Sequence, residues 1–122
     1  MAKKLLIVDD EKDVREFAAN FFRKRKIECF TAANGEEALE RYAKVKADLV
    51  LLDISMPGIN GVETLRRIKE MDQGAKVVMV TGTKPEESGA FETCKQLGAL
   101  NYVHKPLELD DLEKIVLKEL SD

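Results

Sequence analysis

Asp9 and Asp10 close the apolar run Leu5-Leu6-Ile7-Val8, and Asp53 closes a second run, Leu49-Val50-Leu51-Leu52. Two parallel strands lying side by side project such terminal carboxylates into the crevice beyond their carboxyl ends, where open α/β sheets bind ligands. Carboxylates gathered there repel one another, so the cluster favours a hard divalent cation, and Mg2+, with waters completing its octahedron, suits an all-oxygen set. Asp9, Asp10 and Asp53 are therefore expected to hold Mg2+, with Asp53 as the nucleophile toward a phosphoryl donor. Phosphoryl transfer asks a protein mainly for positioning and for offset charge. Asp53 would become an aspartyl phosphate. Two more residues of suitable type lie at strand ends on the same edge: the Thr81 hydroxyl can donate to a phosphoryl oxygen, and the compact Lys105 ammonium can pair with one. Gly82 leaves room for the group.

These residues meet only if the chain supplies the right elements. Short β-like runs at 5–9, 27–32, 49–53, 77–81 and 100–105 alternate with segments of helical period, the signature of βαβ units and a parallel sheet. The first helix carries Val14, Phe17, Ala18, Phe21 and Phe22 as a core-facing stripe. The second spans about 36–44 with Leu39, Tyr42 and Ala43 inward, and the third about 62–71 with Val62, Leu65 and Ile68. The fourth carries Phe91, Cys94 and Leu97, its start left open by Pro85 and Gly89; the fifth, about 110–120, carries Leu112, Ile115, Val116 and Leu120. Acid precedes base at i, i+4 in Glu37 with Arg41 and in Glu63 with Arg67, which supports both helices. Strands one, three and four are nearly all apolar, as strands buried on both faces are, whereas Ile27-Glu28-Cys29-Phe30-Thr31 is mixed and reads as an edge. Right-handed crossovers leave few topologies, among them a doubly wound five-stranded parallel sheet in the order 2-1-3-4-5 with five helices. In that order strands one and three are neighbours, and Asp9, Asp10 and Asp53 converge.

Composition narrows the function classes. A chain of 122 residues is expected to form one domain, 1–122, by the prior of roughly 100 to 200 residues per domain. The apolar runs fall far short of the roughly 18 residues of a membrane span, and Met1-Ala2-Lys3-Lys4 leads into too few apolar residues for a signal-peptide core. A cytoplasmic protein without membrane contact is expected. Twenty basic and 23 acidic residues leave a net charge of −3, with no bulk attraction to nucleic acid, so no direct nucleic-acid partner is expected. The one basic cluster, Arg23-Lys24-Arg25-Lys26, falls where a helix ends and complements its dipole. Cys29 and Cys94 read as small core hydrophobes, and His104, the only histidine, as an incidental strand residue pointing away from the side of Tyr102.

At these residues the sequence resembles the receiver domain of two-component response regulators, over essentially the whole chain. The matching motifs are Val8-Asp9-Asp10-Glu11, Leu52-Asp53-Ile54-Ser55-Met56-Pro57-Gly58 with Gly61 after it, Val80-Thr81-Gly82, and Gly98-Ala99 through Tyr102 to Lys105-Pro106. The resemblance implies that Asp53 accepts phosphate from the phosphohistidine of a sensor histidine kinase or phosphotransfer protein. It implies that Asp9, Asp10, Asp53 and the Ser55 backbone carbonyl surround Mg2+, and that Thr81 and Lys105 contact the phosphoryl group. It implies a cis Lys105-Pro106 peptide. It also implies a switch: Thr81 drawn toward phosphate vacates space into which Tyr102 turns, altering a face formed by the fourth helix, fifth strand and fifth helix where a downstream protein or output domain docks. Such proteins are monomers or phosphorylation-dependent dimers, and their chemistry is confined to their own phosphorylation and dephosphorylation.

Rival classes meet specific objections. A haloacid-dehalogenase-like phosphatase needs a second carboxylate two residues after its nucleophile, where Ser55 stands. A flavodoxin shares the strand order but needs a hydroxyl-rich phosphate loop after the first strand, and Asp9-Asp10-Glu11 would repel that phosphate. A free-standing relay protein and the regulatory part of a longer DNA-binding or enzymatic regulator both remain open.

Overall fold

The computed structural model describes residues 3–54, 58–82, 90–105 and 108–121, with the backbone alone for Ala90 and Phe91. In chain order the elements are β1 (Lys4–Val8), α1 (Lys12–Arg23), β2 (Glu28–Ala32), α2 (Gly35–Val45), β3 (Leu49–Asp53), α3 (Gly61–Met71), β4 (Val77–Thr81), α4 (Ala90–Gln96), β5 (Asn101–His104) and α5 (Leu109–Leu120). The strands pair in parallel in the order β2-β1-β3-β4-β5. This is the doubly wound sheet expected from the sequence. The least polar runs take the centre because only there are both faces covered: every residue of β3 and β4 is buried, while the mixed β2 lies at an edge.

Side-chain alternation then divides the core in two. On one face Leu5, Ile7, Leu49, Leu51 and Val78 pack against Ala18, Ala19 and Phe22 of α1 and Leu112, Val116 and Leu120 of α5. On the other, Leu6, Val8, Val50, Leu52, Val77 and Met79 pack against Ala38 and Tyr42 of α2, Leu65 and Ile68 of α3, and Cys94 of α4. Both cysteines are free and buried, and burial pushes each thiol up to about 11, in keeping with their reading as core hydrophobes.

Asn34 and Asn60 start α2 and α3, each accepting a hydrogen bond from the backbone N–H three residues on, at 2.8 and 2.9 Å. Such caps contribute about 1 kcal/mol apiece. The acid-base pairs form as spaced, Arg41 with Glu37 at 3.7 Å and Arg67 with Glu63 at 2.7 Å. The two arginines of the basic cluster make local contacts: Arg23 donates to the Cys29 carbonyl at 3.1 Å, and Arg25 lies over the Phe21 ring at 3.6 Å while pairing with Glu113 of α5.

Two helical stripes depart from expectation. Phe17, placed inward on α1 by sequence, is 64% exposed. The small residues Ala18 and Ala19 let α1 lie close to the sheet, and the buried face centres on them and Phe22. At about 100° per residue Phe17 then points away from that face. In α2, Ala43 is exposed instead of buried, because the helix rests on Gly35, Ala38 and Tyr42. Phe91, expected on the α4 stripe, and the segment holding Pro85 and Gly89 lie outside the described side chains and residues. Among the described residues no helix is long and apolar enough to cross a membrane.

Candidate functional site

The parity of the strands assembles the site. Leu5 and Ile7 of β1, Leu49 and Leu51 of β3, and Val103 of β5 all face α1 and α5. Two residues beyond the last of each series stand Asp9, Asp53 and Lys105, so one period of two directs all three toward the same face. The register makes them level: Val8 pairs with Leu52, Asp53 with Val80, and the Lys105 N–H continues the ladder onto the Thr81 carbonyl at 2.7 Å.

The outcome is an acid cluster held by one ammonium. A carboxylate oxygen from each of Asp9, Asp10 and Asp53 lies within 4.8 Å of the others. Asp9 and Asp53 are 4% and 3% exposed, and Asp10 is exposed. Lys105 Nζ stands 3.1 Å from Asp9 Oδ2, 3.3 Å from Asp53 Oδ2 and 3.5 Å from Glu11 Oε1. The second oxygen of Asp9 accepts the Glu11 N–H at 2.9 Å, and its backbone carbonyl accepts from Arg15 at 2.9 Å, so this residue is fixed from both ends. Burial alone would depress the Lys105 ammonium, but its hydrogen bond to Asp9 and the charges of Asp53 and Asp9 outweigh that and raise its pKa above the ordinary lysine value. An all-oxygen donor set, partly buried and short of compensating charge, is the chemistry a hard divalent cation fits.

Thr81 and Tyr102 lie on the other side. Val77 and Met79 of β4 face α2, α3 and α4, which by alternation is also the side of Thr81, fully buried. Tyr102, paired in register with Met79, packs against that same core and borders a cavity of about 230 Å³ with Cys94, Lys95 and Ala99. The two residues expected to form a switch therefore share a face of the sheet, while the acids and Lys105 share the opposite one. His104 departs from expectation: two residues from Tyr102 in a strand of period two, it belongs to the same side as Tyr102, and it is exposed. Ser55 and the Lys105-Pro106 peptide, both part of the expected site, fall outside the described residues.

Three contributors were not assigned roles from sequence. Glu11 stood in the motif, but nothing announced its reach to Lys105. Arg15 is one of several charged residues off the α1 stripe. A groove of about 590 Å³ opens beside the acids, bordered by Glu11, Val14, Phe17, Gly82, Lys105 and Leu109, and depends on the rotation of α1 that exposes Phe17.

Comparison with known proteins agrees with this geometry. The response regulator receiver domain pattern matches residues 5–117. The chain is 38% identical over 120 residues to sporulation initiation phosphotransferase F of Bacillus subtilis, covering 98% of this chain and 95% of that one. Other curated relatives are longer, and the chain spans 25%, 30% and 33% of three of them. Among solved structures, a CheY-like response regulator receiver domain protein from Methanospirillum hungatei superposes with a TM-score of 0.93 at 28% identity, covering 98% of this chain and 94% of that one. The response regulator TrrA of Thermotoga maritima, solved in complex with Mg(2+)-BeF, gives 0.85 at 36% identity over 96% and 98%. With β1 and β3 carrying their acids to one point and the family pattern running from the first strand into the last helix, the chain belongs to the response regulator receiver domain family of two-component phosphorelay signalling.

Proposed function

We propose that Asp53 is the phosphoryl acceptor and that Asp9, Asp10 and Asp53, with the backbone carbonyl of Ser55, hold Mg2+. The observation that carries this reading is the meeting of three carboxylates and the Lys105 ammonium at the carboxyl edge of the sheet. Mg2+ bound there supplies positive charge to offset that of the phosphoryl group. An Asp53 carboxylate oxygen attacks phosphorus in line, the phosphorus–nitrogen bond of a donor phosphohistidine breaks, and the electron pair leaves on the imidazole, which takes up a proton. Lys105, already 3.3 Å from Asp53 Oδ2, pairs with a phosphoryl oxygen, and the Thr81 hydroxyl donates to another. The donor is a sensor histidine kinase or phosphotransfer protein, and the chain turns over no separate substrate.

The reading is tested with Mg2+ and acetyl phosphate, followed by intact mass. Wild type gains one phosphoryl group, while Asp53→Asn, or wild type with excess chelator, gains none. Equal gain in wild type and Asp53→Asn would move the acceptor elsewhere.

The same reading extends to signalling output. By strand alternation Thr81 and Tyr102 lie on one side of the sheet, and Tyr102 borders the cavity at α4 and β5, so phosphate drawing Thr81 changes the room open to the Tyr102 ring. The face of α4, β5 and α5 then presents differently to a downstream protein or output domain, and any partner preferring the altered face stabilises the phosphorylated state in return. The chain has two tyrosines and no tryptophan, so emission reports Tyr42 and Tyr102 alone. Phosphorylation is expected to change that emission in wild type and to leave Tyr102→Phe unchanged. An identical change in Tyr102→Phe would remove Tyr102 from the switch.

A further inference from the structure

Glu11 is a carboxylate that the acid cluster does not require. Its side chain is 63% exposed at the rim, yet its Oε1 reaches within 3.5 Å of Lys105 Nζ, which is itself 3.3 Å from Asp53 Oδ2. It also lines the groove beside the acids, together with Lys105 and Gly82. A phosphoryl group approaching Asp53 to displace part of the Lys105 pairing therefore comes close to the Glu11 charge before any bond changes. Asp9 and Asp53 are buried and share the ammonium, whereas Glu11 is exposed and borders the groove that Lys105 also lines.

Taking Asp53 as the acceptor, we propose that Glu11 is a specificity-determining residue that discriminates phosphodonors by their charge. Its carboxylate repels small free anions, and does so more strongly the more negative they are. A donor protein escapes this penalty when its own cations face Glu11. The step affected is the same in each case. An Asp53 oxygen bonds to phosphorus, and the bond to the leaving group breaks with its electron pair: phosphorus–oxygen with acetate leaving from acetyl phosphate, phosphorus–nitrogen with ammonia leaving from phosphoramidate.

The experiment compares wild type, Glu11→Gln and Glu11→Asp with Mg2+ and two donors near neutral pH, acetyl phosphate as a dianion and phosphoramidate with a single net negative charge. Initial rates of mass gain are followed at low and high ionic strength. Glu11→Gln keeps the shape and removes the charge, which also frees Lys105 and can speed both donors alike. The informative quantity is therefore the ratio of the two rates. Glu11→Gln is expected to shift that ratio about threefold toward acetyl phosphate at low ionic strength, the effect of one unit of donor charge across a water-like medium. The shift should fade as the Debye length falls to about 3 Å near 1 M salt. Glu11→Asp is expected to keep the wild-type ratio. A ratio unaltered by Glu11→Gln, or altered equally at both ionic strengths, overturns the role of Glu11 while leaving Asp53 as acceptor. If no protein gains phosphate from either donor, the acceptor assignment falls, and this inference with it.

Discussion

Lys105→Ala is expected to slow phosphorylation of Asp53 by about a hundredfold or more, the usual cost of removing a charge aimed at the transition state, and at the same time to tighten Mg2+ binding. The two effects have opposite signs because the ammonium serves two states. Without metal it is the cation that Asp9 and Asp53 share, at 3.1 and 3.3 Å, so on the proposed reading it competes with Mg2+ for the same carboxylates. During transfer, on the proposed reading, it pairs with the phosphoryl group. In the absence of Mg2+ the variant should also lose stability, because it leaves two buried carboxylates without the ammonium they share. Losing one partner of a fully buried pair costs about 3–5 kcal/mol. Lys105 keeps 19% of its side chain in water, so a loss of about 1–3 kcal/mol is expected here after screening. Urea unfolding with and without Mg2+ measures it, and saturating Mg2+ should narrow the gap between variant and wild type. The pH dependence has a fixed sign. The Lys105 pKa is raised in the folded chain, so its stabilisation is complete below the unfolded lysine value of about 10.4 and is lost as pH rises through the higher folded value. A variant that binds Mg2+ more weakly than wild type, or accepts phosphate equally fast, would contradict the shared-ammonium account.

The acids were legible in the sequence because strand periodicity is short-range and unambiguous. An apolar run ending in Asp fixes the direction of that side chain once the run is known to be a strand, and the five-residue length of the runs at 49–53 and 77–81 favours strands. Which runs were wholly apolar marked β2 as an edge, and right-handed crossovers left few orders, among them the one observed. Helix faces were less legible. In α1 the apolar residues Val14, Phe17, Ala18, Ala19, Phe21 and Phe22 cover more than one face, so periodicity alone cannot say which are buried. Packing decides it: Ala18 and Ala19 allow the close approach that a phenylalanine would block. The same holds for α2, where Gly35, Ala38 and Tyr42 set the contact and Ala43 turns outward. Individual side-chain contacts between distant elements were less legible than the convergence of Asp9, Asp10 and Asp53. The reach of Glu11 to Lys105 spans 94 positions, and no local pattern encodes it.

Gly61→Ala is expected to damage both stability and the site, although it adds a single methyl group to a helix. A Cβ at Gly61 would stand 2.2 Å from the Asp53 carbonyl oxygen, 2.6 Å from Ile54 Cα and 2.9 Å from the Asp53 carbonyl carbon. All three are backbone atoms, so no side chain can swing aside. The same backbone is tied in place, since the Gly61 N–H donates to the Ile54 carbonyl at 2.8 Å and the Ile54 N–H donates to the Val80 carbonyl at 3.0 Å. The first turn of α3 is thus clamped onto the tip of β3, and the methyl forces them apart. Overpacking of this kind costs about 1–3 kcal/mol or more, against a gain of up to about 1 kcal/mol from the better helix propensity of alanine. The net loss is expected at about 1–2 kcal/mol by urea unfolding. The functional loss should be larger, because Asp53 is the residue displaced. A shift of about 1 Å in a reacting group costs on the order of a hundredfold in rate, and Mg2+ affinity should fall as Asp53 leaves Asp9 and Asp10. Gly74→Ala supplies the contrast: its Cβ would meet only a side-chain oxygen of Asp72 at 3.5 Å, an ordinary contact, so that variant should unfold and accept phosphate like wild type. If Gly61→Ala behaved like Gly74→Ala in both measurements, the tip of β3 would have slack that this close approach denies it, and the position of Asp53 would have to be set by the sheet alone.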